Sequence, residues 1–448
     1  MTLFTQPIRS TFTPRKQRGA TTLVVSLILL FGMTLVAFFV NRSMLFEQKT
    51  SANQLRSTKA FEAAESGIEW ATSMLNDVRY INGSCTTTGT NTESFRTKYL
   101  DYDASLGFRP IPTGFTKSPR PGCSISTTTG TPVLSCSCPD TPSTNPSLTS
   151  VTDATFTVRF DPVDTTTPDK ESVLITSYGC TAAGGGDRCV PGNTNNADAY
   201  QKISVIVKLR PAVRAVPAAA ITTGGSLKLT SAASSITNND PGSNGILVNA
   251  GGGINTTTVP SCSGSFKAFQ NTTTLPGTPW QNSMIANDTS LSTLSTNPDA
   301  MFASYFGTTI NQFKTDTSTK ILPSSGASCT SVESDFYSEF NKGYRSFYTD
   351  CDFQTNNNMG SAADPIIFVT TGALKFNGGA NIFGLVYGDQ ATWDELGVGN
   401  GAINGALIVR GNYCANANAN YNYDPDALKN VRGATGSLVR VPGSWKDF

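Results

Sequence analysis

Hydrophobic and polar positions divide the chain into three textures. Residues 20–40, ATTLVVSLILLFGMTLVAFFV, contain no charge at all. As a helix this run is about 31 Å long at ~1.5 Å per residue, enough to cross the hydrocarbon core of a bilayer. Residues 41–77 continue with a helical rhythm. Leu45, Leu55, Phe61, Ala64, Ile68, Ala71 and Leu75 recur mostly at three- or four-residue steps or their sums, and no Pro or Gly intervenes before Gly67. The pattern predicts one helix that runs from a membrane segment into water.

The second texture has period two. Residues 154–160 (ATFTVRF) and 202–209 (KISVIVKL) alternate, and 172–178 (SVLITSY) form a short apolar run. They predict an antiparallel sheet. Residues 78–150 are rich in Ser and Thr and predict loops that need covalent staples. Pro211 and Pro217 mark a boundary. Beyond it, residues 221–258 and 363–411 show apolar pieces of four to six residues separated by Gly and Asn. This third texture predicts the rungs of a β-solenoid, with a β-sandwich as the alternative. Residues 260–360 interrupt the rungs as an insertion. Within it, 298–307 and 333–350 read as aromatic helices, and Phe336, Phe340, Tyr344 and Phe347 recur at helical spacing. Packing on the solenoid flank explains them better than stacking on sugars or bases.

Composition narrows the chemistry. At 448 residues, two or three domains are expected. Lys+Arg 33 against Asp+Glu 32 leaves +1, which offers no field for nucleic acid. There is no histidine, so Ser-His-Asp systems, His-ligated zinc and imidazole bases are excluded. The ten cysteines, at 85, 123, 136, 138, 180, 189, 262, 329, 351 and 414, are spread along the chain and lack the paired spacing of a zinc ribbon. They predict disulfides made in an oxidising compartment. Cys180 and Cys189 flank the loop TAAGGGDR and are the first expected bridge. Two oxygen-rich segments, 239–245 and 422–426, lack the ligand spacing of an EF-hand and read as turns. No cofactor, metal site or catalytic group is expected. A carboxylate pair of the kind found on solenoid glycosidases stays open as a minor alternative, which would make the chain a membrane-tethered carbohydrate enzyme.

The N-terminus carries Arg9, Arg15, Lys16 and Arg18, no acid, and then Gly19 before the apolar run. This order resembles the leader of type IV pilins. The resemblance implies cleavage between Gly19 and Ala20 by a prepilin peptidase, with methylation of the new amino terminus. It also implies a single-pass inner-membrane stage with the start of the chain in the cytoplasm, as the basic flank independently suggests. Loss of the leader would change the net charge from +1 to −3. A plain membrane anchor with basic flanks is the simpler alternative.

Residues 59–71, KAFEAAESGIEWA, strengthen the resemblance. They are similar to the A-x-x-A-A-E-[AS]-G signature of PilX-type minor pilins, matched here by Phe61, Glu62, Ala63, Ala64, Glu65, Ser66 and Gly67. The small residues suit close approach to a sheet or to a neighbouring helix. Glu62, Glu65 and Glu69 share one face. The resemblance implies an α+β protein: a leader over 1–19, a transmembrane segment over 20–40, a helix-and-sheet pilin domain over 41–210, and a β-rich domain over 211–448. Implied partners are other minor pilins, the major pilin and a PilY-type tip adhesin. Most pilins have a glutamate as the fifth mature residue, where this chain has Val24. A carboxylate in lipid is costly and is kept for a purpose, in pilins the pairing with the free amine of a subunit already assembled. Val24 cannot make that pairing, which suits a tip or initiating subunit. A pseudopilin at the tip of a type II secretion fibre fits the same features.

Overall fold

The structure is a computed structural model that describes residues 18–88, 93–103, 107–110, 120–126, 130–131, 133–139, 148, 154–163, 171–181, 189, 198–230, 234–255, 272–323, 328–376, 379–390, 392–395, 401–415 and 419–447. One helix, Arg18–Asn76, runs unbroken through both predicted stretches. The chain divides into two compact units between Thr58 and Lys59. In the first, the helix exposes its large apolar side chains from Leu23 to Phe46, and Leu55 as well. Leu45 and Leu55, the first residues of the expected helical rhythm, are both exposed.

The second unit begins with a helix-on-sheet head. Ala60, Ala63, Ala64, Ile68, Ala71 and Leu75 are buried, at spacings that place them on one helix face. They pack on a six-stranded antiparallel sheet. Its order is Ser437–Arg440, Ala199–Arg210, Ser172–Thr181, Ala154–Pro162, Gly122–Ser126 and Val133–Ser137. Period-two alternation decides which side chains meet the helix: Phe156, Val158 and Phe160 from one strand, Ile203, Val205, Val207 and Leu209 from another. The three sequence-predicted strands are the centre of this sheet. The outer three were not anticipated, and one of them comes from the far end of the chain, beyond the expected boundary at 210.

The segment expected to be loops contains regular elements among its described residues. Helix Phe95–Tyr99 is capped by Ser94, whose hydroxyl accepts from Thr97 N–H. Cys85–Cys138 and Cys123–Cys136 staple this region, the second across two paired strands. Cys180–Cys189 and Cys329–Cys351 are further bridges, and Cys414 is also disulfide-bonded. No cysteine among the described residues is free. Cys262 lies outside them.

Residues 211–436 build two parallel sheets that enclose one core. From Ser346 to Tyr423 strands of the larger sheet alternate along the chain with strands of the smaller. Ile366–Thr370 is followed by Leu374–Phe376, Asn381–Gly388 by Thr392–Glu395, and Ala402–Val409 by Asn412–Ala415. The larger sheet includes the order Met284–Ile285, Val248–Ala250, Ile221–Thr223, Ala402–Val409, Asn381–Gly388, Ile366–Thr370, Ser346–Thr349 and Thr319–Leu322. Its first strand in sequence, Ile221–Thr223, therefore lies in the middle, and the late strand Ala402–Val409 closes against it. In-register stacking brings Gly405 opposite Gly384, and Gly384 opposite Ile366. Gly405 sits at φ +141 and Gly384 at φ +127, and a Cβ on either would strike the neighbouring carbonyl oxygen. Only glycine fits this column.

The expected insertion is not separate from the sheets. Thr319–Leu322, Ser346–Thr349 and Phe353–Thr355 belong to them. The predicted helix over 333–350 is in fact helix Val332–Asn341 followed by a turn at Gly343, φ +110, and then a strand. The aromatic spacing continued past the helix end because Phe347 faces the same core from a strand. Phe336 packs at a tilt against Phe347 with ring centroids 4.5 Å apart, and Phe340 and Tyr344 pack partly buried beside them. The two oxygen-rich segments are turn and cap: Asp240 caps Pro241–Ser243, and Asp424 caps helix Pro425–Thr435.

Candidate functional site

The residues singled out by sequence all lie on the helix Arg18–Asn76, apart from Cys180 and Cys189. Gly19 and Ala20 are in its first turn. Val24 is 54% exposed, one of a series of exposed apolar side chains that runs from Leu23 to Phe46. Ser26 and Thr34 do not interrupt this apolar surface, because their hydroxyls donate to their own helix carbonyls at Leu23, Leu30 and Phe31. Such a surface is stable where hydrocarbon covers it.

The signature stretch has two faces. Glu62, Glu65 and Ser66 are exposed, while Ala63, Ala64 and Gly67 are buried and Phe61 is half-buried. Ser66 Oγ donates to the Glu62 carbonyl at 2.7 Å. The buried face is a close seat. A Cβ on Gly67 would lie 2.2 Å from Ser177 Oγ and 2.9 Å from a Phe156 ring carbon. From the other side, a Cβ on Gly179 would lie 2.1 Å from the Ala60 carbonyl oxygen and 2.4 Å from Ala64 N. Helix and sheet thus meet through a glycine on each partner, with alanines between. Trp70 closes one side, its ring 5.3 Å from Phe95 and 5.6 Å from Phe156. Gly179 precedes Cys180, whose bridge to Cys189 lies on the same strand end, and Thr157 Oγ1 donates to the Cys189 carbonyl.

The end of the helix is held by a buried cation. Arg96 is 7% exposed. Its Nε donates to the Leu75 carbonyl at 2.9 Å, and its Nη1 reaches the Gly433 carbonyl at 3.4 Å. Two helix C-termini, of Arg18–Asn76 and Pro425–Thr435, thus point their free carbonyls at one guanidinium. Burial pushes Arg96 down to about 10, so it remains charged at neutral pH. Asn76 binds Leu438 on both sides, and Glu69 pairs with Arg440 at 2.6 Å.

Sequence reading found the helix half of this seat and missed the sheet half. Gly179 carried a usable signal, since a glycine inside a strand marks close approach of another backbone. Arg96, Asn76 and Arg440 carried none, because their partners are hundreds of residues away or lie within a segment read as loop. Among the described residues no group of three or more Cys, Asp or Glu side chains could hold a metal ion.

Residues 18–69 match the family model of the PilX N-terminal domain. No curated protein matches the chain. Among solved structures it is similar to the crystal structure of the competence-associated pilin ComZ from Thermus thermophilus, at 12% identity and a TM-score of 0.25. That likeness covers 88% of this chain and 97% of the other, and is too distant to carry any argument. The apolar helix, the disulfides outside it and the small-residue seat fit a membrane-anchored extracytoplasmic protein. Over residues 18–69, the stretch that holds the apolar surface and the small-residue seat, this chain carries a PilX N-terminal pilin domain.

Proposed function

We propose that the chain is a low-copy minor pilin, cut between Gly19 and Ala20, methylated there, and placed at the tip of a type IV pilus, where it starts fibre assembly. The observation that carries this reading is Val24. It stands fifth after the cleavage position in a helix that otherwise has pilin character throughout, with an apolar exposed stretch and a glycine-seated continuation. Insertion beneath an existing subunit calls for a carboxylate at that depth, and a first subunit needs none. The bulk of residues 77–448 supports the same placement, because a tightly packed shaft has little room for it.

In this reading the chain passes once through the inner membrane, amino terminus inside, before it joins the fibre. Its partners are the prepilin peptidase, other minor pilins, the major pilin and a PilY-type adhesin. The two parallel sheets are read as a β-solenoid, supported by the alternation of strands between them from Ser346 to Tyr423 and by the in-register Gly384 and Gly405. The solenoid supplies a large rigid surface for adhesion at the fibre end. Its role is structural and not catalytic.

Immunogold labelling of piliated cells tests the placement. Label confined to fibre ends is expected, and regular label along shafts would refute it. Deleting the gene should sharply reduce surface pili while the major pilin still accumulates in the membrane. The intact mass of membrane-extracted protein should correspond to a chain that starts at a methylated Ala20.

A further inference from the structure

The far end of the chain belongs to both cores. Helix Pro425–Thr435 buries Leu428 and Val431 with Ile367, Val369, Leu385 and Ile408 of the parallel sheets. Immediately after it, Ser437–Arg440 becomes the edge strand of the head sheet, and Leu438 enters the head core. The pairing continues past the strand. Val441 N–H donates to Ile206 O at 2.9 Å, and Ser204 and Lys446 exchange backbone bonds of 2.7 and 2.9 Å.

This segment also grips the seated helix. Asn76 behaves as a strand residue would: its Oδ1 accepts from Leu438 N–H at 2.7 Å and its Nδ2 donates to Leu438 O at 2.9 Å. Arg96 joins Leu75 of the seated helix to Gly433, and Arg440 pairs with Glu69.

We propose that residues 425–447 are a closing strap that makes firm seating of the signature helix conditional on a closed stack. The helical half of the strap finds its place only on a sheet in which Ala402–Val409 is formed. That strand in turn completes the sheet by pairing with Ile221–Thr223, the first strand of the region. The strand half then covers the open edge of Ala199–Arg210 and fixes the helix end. One segment shared by two cores couples them, and the coupling acts equally in both directions. A chain with an unfinished stack therefore holds its helix loosely, with the Asn76–Leu438 bonds unmade and the sheet edge unpaired. The fold in this way reports its own completion on the surface that a fibre would use. The inference goes beyond the pilus reading and holds whichever fibre, if any, the protein joins.

Hydrogen exchange followed by mass spectrometry on the detergent-solubilised full chain tests it, with two mild variants. Leu428→Ala loosens the strap only where it contacts the stack. Amides of residues 68–76 and 203–209, in the head, should then exchange about tenfold faster or more. Asn76→Ala removes both side-chain hydrogen bonds to Leu438, along with those to Thr72 and Arg96 within the head. Amides of residues 425–435, on the stack, should exchange several-fold faster. Wild-type protection of the head in the first variant, or of the strap helix in the second, would overturn the coupling.

Discussion

From Leu23 to Phe46 the helix leaves Leu, Ile, Phe, Met and Val side chains exposed, whereas from Ala60 to Leu75 the same helix buries mostly alanine, with one glycine, one isoleucine and one leucine. Size and burial are inverted relative to an ordinary soluble helix. The first stretch has large apolar side chains because it meets a medium that conforms to any shape. The second has small ones because it meets a rigid sheet, and a small side chain lets two backbones approach. Close approach replaces area: an alanine removes little apolar surface from water, yet dispersion contacts accumulate across a seat in which glycines face the partner backbone. The two stretches should therefore fail in different ways when mutated.

The strongest way to break the comparison is Gly179→Val. Its Cβ would meet backbone atoms of Ala60 and Ala64, which cannot rotate aside as a side chain can. The helix must lift from the sheet, at a cost of about 3 kcal/mol or more. A large fall in the melting temperature of the head is expected by circular dichroism or calorimetry. Leu29→Ala, in the exposed stretch, should leave that transition where it is and weaken partitioning into the membrane instead. Equal effects of the two variants on head stability would remove the distinction.

Next in size is the Cys180–Cys189 bridge. Replacing both residues with serine frees a loop with a sequence separation of 9. The chain-entropy account assigns such a loop about 2.6 kcal/mol. The bridge follows Gly179, so its loss should loosen the strand end that carries the sheet side of the seat. Denaturant unfolding should show a lower midpoint. The exposed part of the helix should keep its detergent affinity.

How much of this was legible in the sequence follows from the range of each interaction. The helix, its apolar stretch and the three central strands repeat at 3.6 or 2.0 residues, so their pattern is local and readable. The Cys180–Cys189 loop is also local. The outer strands were hidden because Ser437–Arg440 has only four residues and gains its place from Asn76 and from Ala199–Arg210. The helix predicted to continue past Asn341 shows the limit of periodicity: Phe347 satisfies a helical count and yet lies on a strand. Short apolar runs with glycine corners predicted stacked strands. They could not show that the first strand would lie in the middle of the sheet, because strand order is set by contacts between residues 221–223 and 407–409.

Arg96→Met probes the end of the seated stretch. The change leaves the Leu75 and Gly433 carbonyls without their donor, and each buried orphan costs about 1–3 kcal/mol. Removal of a buried charge offsets part of this, since burial already disfavours the guanidinium and pushes it down to about 10. The net expectation is a loss of about 1–2 kcal/mol, with faster amide exchange in the last two turns before Asn76 and in the strap helix Pro425–Thr435. A stabilised Met variant would mean that the two carbonyls find other donors and that the helix end needs no cation.

The smallest effect belongs to Glu69, the one acid of the signature face with an ion-pair partner among the described residues. Its pair with Arg440 measures 2.6 Å, but the glutamate side chain is 62% exposed and the arginine 34%. Exposed pairs of this kind contribute about 0.2–1 kcal/mol, and salt screens them. Glu69→Gln should therefore lower head stability by no more than about 0.5 kcal/mol, and the difference from wild type should vanish in high salt. Glu62 and Glu65 lie on the same face, exposed, and substituting either with Gln should leave the stability of the isolated protein unchanged. If pilus assembly falls with those two while stability does not, the acidic face of the seated stretch acts on a neighbouring subunit. If assembly is unaffected, the face is simply solvated, and the seat beneath it is what the signature preserves.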